Sequence, residues 1–185
     1  DAKKICSLKG LLVNLEVSTN PSMIKNALQI RPNFICIVPE KRKEITTEGG
    51  LDLKKNIFKL KKIITKIRKK KIRTSLFINP SISNIKISKS LKADCIEIHT
   101  GNFANLVKTK KDYSKEFKKI KDCSILAHNL GIEVHVGHGL DFKATKILMK
   151  IKQIQEFNIG HFIIGESIFY GITKVIRNFK KIIRS

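Results

Sequence analysis

The residues able to do acid/base or anion chemistry fall in a handful of short stretches. Glu16 sits in VNLEVS (13–18), a carboxylate inside an otherwise apolar run. Burying an unpaired charge is expensive, so such a residue is either matched by a Lys or Arg of a neighbouring strand or kept at a reactive site. A desolvated carboxylate has a raised pKa and exchanges protons near neutral pH as a general base. In IEIHTGNFAN (96–105) strand alternation puts Glu97 and His99 on one face, where a carboxylate fixes the tautomer and charge of an adjacent imidazole. EVHVGHGL (133–140) places His138 between two glycines. That leaves the ring accessible and the following amides, Gly139 included, free to meet a phosphate or oxyanion. His135 reads better as a satisfied core histidine. FNIGHFIIGES (157–167) carries Gly160-His161 and leads through Gly165 towards a helix, the kind of place where barrel enzymes bind phosphate. VPEKRKEITTEGGLDL (38–53) is too long and too charged for a plain βα connection of roughly 2 to 6 residues. Its Thr46 and Thr47 hydroxyls and Gly49-Gly50 suit a loop that wraps a polar ligand; a plain surface loop is the alternative.

These groups need a scaffold, and the chain reads as repeated β-then-α. Strands are expected at 11–17, 33–39, 72–78, 94–100, 132–137 and 157–161, and helices near 21–30, 51–71, 81–92, 111–130, 141–155 and 166–184. Thr19-Asn20-Pro21 forms a cap-like opening to the first of those helices. Without hairpin dipeptides between strands, a parallel sheet follows, because parallel neighbours need a crossover. Six strands alone would favour an open doubly wound sheet. The placement of polar residues favours a barrel, since functional groups there sit at the C-terminal end of strand after strand. Asn14 and Glu16, Glu97 and His99, His135 and His138, and Asn158 and His161 occupy such positions. The expectation is an α/β fold, a TIM (β/α)8 barrel with six βα units in one domain over 1–185 and two strands lacking from this chain.

Composition narrows the classes. The 185 residues carry 38 Lys+Arg against 15 Asp+Glu, a net charge of +23. That charge is the usual footprint of a nucleic-acid binder. The lysines, however, gather in 54–71, 108–122 and 174–184, where apolar residues recur every three or four positions, and these read as amphipathic helices with solvated faces. Nucleic acid is therefore not the expected partner, although a basic RNA-binding or scaffold protein on a barrel remnant is the alternative from a different class. With 42% hydrophobic residues and no apolar run near the roughly 18 residues of a membrane span, a soluble folded protein without membrane partner is expected. Cys6, Cys36, Cys95 and Cys123 fall singly in apolar stretches and read as buried thiols in a reducing compartment. His99, His135 and His138 lack a helical i, i+4 pair and an acidic cluster in sequence, so no metal is expected.

Taken in order, NLEVST (14–19), VPEK (38–41), TTEGGLD (46–52), SLFINP (75–80), IEIHTG (96–101), VGHGL (136–140) and NIGHFIIG (158–165) closely resemble the pyridoxine 5′-phosphate synthase family of vitamin B6 biosynthesis, over essentially the whole chain. The resemblance implies a cytoplasmic, usually octameric (β/α)8 barrel that condenses 1-deoxy-D-xylulose 5-phosphate with 3-amino-2-oxopropyl phosphate, without a cofactor. Pyridoxine 5′-phosphate, inorganic phosphate and water leave. By the family's pattern Glu16 and His138 are the acid/base pair and Glu97 stabilises the transition state. Thr46 contacts substrate; Gly139, Gly160 and His161 bind substrate or product, the last two around a phosphate. Another sugar-phosphate barrel enzyme is the nearer alternative, although no strand-end Lys offers itself for an aldolase Schiff base.

The chain departs from that pattern twice. The family begins with two more strands carrying an Asn, a further catalytic His and substrate-binding arginines, and Asp1–Gly10 supplies none of them. The chain also begins without Met, in what reads as a helix interior, so an upstream segment is expected and the 185 residues alone are expected to be inactive and poorly stable. Glu166 stands where the family tends to have a basic residue after IIG; it either changes the charge near the phosphate loop or simply favours a helix's first turn.

Overall fold

A computed structural model describes residues 1–40 and 49–184. The elements alternate as expected, beginning with a short α1 (Ala2–Cys6) and continuing β1 (Asn14–Ser18), α2 (Pro21–Ile30), β2 (Phe34–Val38), α3 (Leu53–Lys69), β3 (Arg73–Ile78), α4 (Ile82–Ser90) and β4 (Cys95–His99). They end with α5 (Gly101–Lys108), α6 (Ser114–Asn129), β5 (Glu133–Gly137), α7 (Phe142–Leu148), β6 (Ile154–Asn158), α8 (His161–Tyr170) and α9 (Ile172–Arg184). The strands lie in one sheet in the order β1-β2-β3-β4-β5-β6. A doubly wound sheet reverses its order at a switch point; this one does not, which makes it six consecutive units of the barrel pattern.

Two compact units divide the chain, Asp1–Asn79 with Ser83–Glu97, and Pro80–Ile82 with Ile98–Ser185. In the first, β1 pairs parallel with β2 and β2 with β3, in a register that aligns Glu16 with Cys36 and Cys36 with Ser75. The inner strands are near-continuous apolar runs, as parallel strands covered on both faces should be: Ile35, Ile37, Leu76 and Ile78 are fully buried. Helix α3 turns Leu53, Leu60, Ile63, Ile64 and Ile67 inward and leaves its lysines outside. That is the spacing of one helical face, and it accounts for much of the positive charge as a solvated surface. Asn20 accepts from the Ser22 amide at 2.9 Å with Pro21 behind it, and Asp52 accepts from that of Lys55 at 3.1 Å; each satisfies an amide the first turn cannot.

The second unit pairs β5 with β6 in parallel. Val134, Val136, Phe103, Ile120, Ala127 and Leu148 are buried there, and Phe142, Phe162 and Phe179 form an aromatic cluster with ring centroids 4.5 to 5.9 Å apart. That cluster joins α7, α8 and α9 through offset and edge contacts. Several element boundaries differ from the sequence reading: β1, expected over 11–17, is Asn14–Ser18, and the helix expected over 141–155 ends at Leu148. Helix α5 was not expected, β6 begins at Ile154 and ends before His161, and the long helix at 166–184 is two helices parted at Gly171, whose φ is +76°. Among the described residues no helix is long and apolar enough to cross a membrane.

Candidate functional site

In the first unit the chemistry gathers on one face of β1, β2 and β4. Parallel pairing sets Glu16 directly beside Cys36, and the Cys36 thiol points to Glu97 Oε2 at 3.7 Å. Cys36 is fully buried and Glu97 nearly so. Burial, helped by the negative charge of Glu97 and Glu16, pushes the Cys36 pKa well up, so the group remains a thiol and offers a proton to its carboxylate neighbour. Asp94 pins the start of β4: its carboxylate accepts from the Thr74 amide at 2.9 Å, and its own amide donates to the Thr74 carbonyl at 3.0 Å. Arg68 lies 3.3 Å from the same carboxylate.

Glu16 differs from expectation in one respect. It is exposed rather than buried. Strand β1 is the last of its sheet's order, with β2 as its only partner among the described strands. The case for Glu16 therefore rests on its place beside Cys36.

The loop after β2 returns to the sheet through Gly50. Its amide donates to Asn79 Oδ1 at 2.9 Å, and the Leu51 amide donates to the Phe77 carbonyl at 2.8 Å. A Cβ on Gly50 would lie 2.4 Å from the Asn79 nitrogen and from the Ile78 carbonyl carbon, closer than any side chain can sit. Gly50→Ala is expected to lower stability by about 1–3 kcal/mol, the usual cost of overpacking, read as a fall in denaturant midpoint at unchanged slope. Thr46, expected on this loop, lies outside the described residues.

In the second unit the imidazoles of His99 and His138 stand with ring centroids 4.7 Å apart and planes at 40°. Backbone geometry builds that pair. His138 has φ +78° and Gly139 φ +76°, a left-handed turn that His tolerates better than most residues but does not favour. The Thr100 hydroxyl sits 2.7 Å from the Gly137 carbonyl and 2.8 Å from that of His138, and the Thr100 amide donates to Gly137 at 2.8 Å. Gly101 completes the arrangement, because a Cβ there would be 2.8 Å from His138 Cδ2 and 2.9 Å from the His99 ring.

Burial and the neighbouring His138 lower the His99 pKa to about 4, so this ring is neutral at pH 7; His138 itself is exposed. The folded pKa is below the ordinary 6.5, hence the unfolded chain binds the extra proton first as pH falls. The stability due to His99 is present above pH 6.5 and is lost towards pH 4. His99→Gln is expected to flatten the decline of melting temperature across that window; an unchanged decline would contradict the depressed pKa.

His135 is a core residue, as expected. It is fully buried, 2.8 Å from Glu133 Oε1 and 3.4 Å from Glu156 Oε1. Gly160 precedes α8 and its carbonyl accepts from the Ile164 amide, so His161 is the first residue of that helix rather than the end of a strand. Both are exposed. Sequence reasoning missed the contacts made by Cys36, Thr100 and Asn79. Only Cys36 left a trace, a polarizable residue aligned with Glu16 once strand pairing is known.

A family model described as the pyridoxal phosphate biosynthesis protein PdxJ matches residues 1–185. The chain belongs to the PdxJ family. The pyridoxine 5′-phosphate synthase of Pelagibacter ubique is 60% identical over 182 residues, which is 98% of this chain and 76% of that one. That of Zymomonas mobilis is 44% identical over 170 residues, 92% of this chain and 66% of its own. Of the motifs read from the sequence, NLE (14–16) opens β1, IEIHTG (96–101) runs from β4 into α5, and GHG (137–139) begins at the last residue of β5.

Proposed function

We propose that this PdxJ family member is a pyridoxine 5′-phosphate synthase, joining 1-deoxy-D-xylulose 5-phosphate to 3-amino-2-oxopropyl phosphate. The observation that carries this is the 60% identity with a synthase across 98% of the chain. The chemistry supports it. Condensing an amine with a ketone, eliminating phosphate and closing a ring all require protons to be taken and returned at carbon and oxygen. Glu16, an exposed carboxylate, takes the role of base. His138, in its glycine-flanked turn, returns the proton, and neutral His99 beside it keeps the local charge low. Glu97, buried and fixed, stabilises charge that develops during reaction. Thr46 contacts substrate. In the same reading the assembly is a cytoplasmic homo-octamer working on small phosphorylated substrates.

Gly139, Gly160 and His161 take the phosphate. The free amides that open α8, with Gly160 at its cap and no side chain there as cap, suit an oxyanion. Titration with inorganic phosphate followed by amide NMR is expected to shift Gly139, Gly160 and His161 first. Shifts confined to the lysines of α3, α6 and α9 would remove this assignment. The function itself is tested by placing the gene in a bacterium deprived of its own synthase: growth without added vitamin B6 is expected, and failure of the well-expressed protein to support growth would overturn the reading.

A further inference from the structure

Cys36 is a polar group of the β1–β2–β4 face to which the reaction as described gives no part. It lies in the middle of β2, with Ile35 and Ile37 on either side, all fully buried. A free Cys usually behaves as a small hydrophobe, and the apolar run FICIV would be equally well served by Val or Ala there. Its surroundings are not apolar, however. The parallel register puts Glu16 at its side on β1 and Ser75 on β3, and Sγ stands 3.7 Å from Glu97 Oε2.

We infer that Cys36 is a positioning residue whose thiol donates to the Glu97 carboxylate and holds it in the orientation used in the reaction. This rests on the proposed role of Glu97. The direction of the hydrogen bond follows from chemistry: an ionised carboxylate only accepts, and the thiol has a proton to give. Two carboxylates beside a fully buried sulfur resist its ionisation, so the donor persists across the working pH range. The carboxylate has rotatable bonds, and Glu97 at 4% exposure has little water to orient it. A bond from a rigid central strand limits that freedom, which matters because misplacing a group that acts in the transition state costs rate more than binding.

The experiment compares Cys36→Ala, Cys36→Val, Cys36→Ser and Glu97→Gln with the wild type, in the protein as expressed from its own gene, with both substrates and with melting followed in parallel. Cys36→Val fills the space without a donor and stands in for Cys36→Ala should that variant fail to fold. Loss of the donor is expected to lower kcat by about tenfold with each KM within about twofold, and Cys36→Ser, which keeps a donor, to recover most of that loss. A folded Cys36→Val or Cys36→Ala at wild-type kcat would overturn the inference. So would Cys36→Ser falling as far as Cys36→Val, since the residue would then matter for packing alone. Glu97→Gln at wild-type kcat would remove the role of Glu97 and this inference with it, leaving the synthase reading intact. A wild type that makes no product would remove the synthase reading itself.

Discussion

Replacing Glu16 by Gln is expected to lower kcat by about 10² or more while far-UV circular dichroism and melting stay as in the wild type, because a positioned general base contributes roughly 10² to 10⁴. The substitution keeps the shape of the side chain and removes only its ability to take a proton. Glu16 is exposed on an end strand, and unchanged melting separates a loss of rate from unfolding. The variant's KM values should move little, since a base contributes mainly in the transition state. Retention of more than about a tenth of wild-type kcat would take Glu16 out of this role.

His138→Asn should have an effect of the same order, about 10² to 10⁴ on kcat, because Asn cannot exchange a proton near pH 7. Asn is chosen because it accepts the left-handed backbone that His138 adopts at φ +78°. The turn held by Thr100 therefore survives, and so does the fold. Melting and each KM should stay close to the wild type, so that loss of packing does not account for the lower rate. A wild-type kcat would show that the exposed imidazole is a bystander, and would turn attention to His99.

The parallel strands could be read closely from the sequence because each is a short apolar run between turn residues. β2 to β5 fall inside their expected spans, and Asn20-Pro21 opens α2 as its residue types foretold. β6 was misplaced because IQEFN mixes Gln155 and Glu156 into the strand, which made the more apolar FNIGH look the better candidate. Helix α5 escaped notice because Thr100, in its cap position, does not cap it: the hydroxyl is committed to the Gly137 and His138 carbonyls. α8 spreads its apolar residues around the helix and has Gly165, Glu166 and Ser167 together inside it, so it offers no period to detect.

For the site, the types of residue were legible and their surroundings were not. Glu16 was expected to be buried since its strand is apolar. Burial depends on how many strands flank it, which its own segment cannot reveal. The reverse holds for Cys36, recognised only as a buried thiol, because its carboxylate partner is 61 positions away in sequence. His99 and His138 stood in separate motifs, and their ring contact depends on the absence of a side chain at Gly101. Sequence patterns report what one segment can do; pairing between segments decides what it meets.

The central claim is tested most directly by incubating the purified protein, as expressed from its own gene, with 1-deoxy-D-xylulose 5-phosphate and 3-amino-2-oxopropyl phosphate, and measuring pyridoxine 5′-phosphate by mass spectrometry together with released phosphate. The account predicts both products in equal amounts, formed without added cofactor, and lost together in Glu16→Gln. Phosphate without pyridoxine 5′-phosphate, or neither product from folded protein, would contradict it.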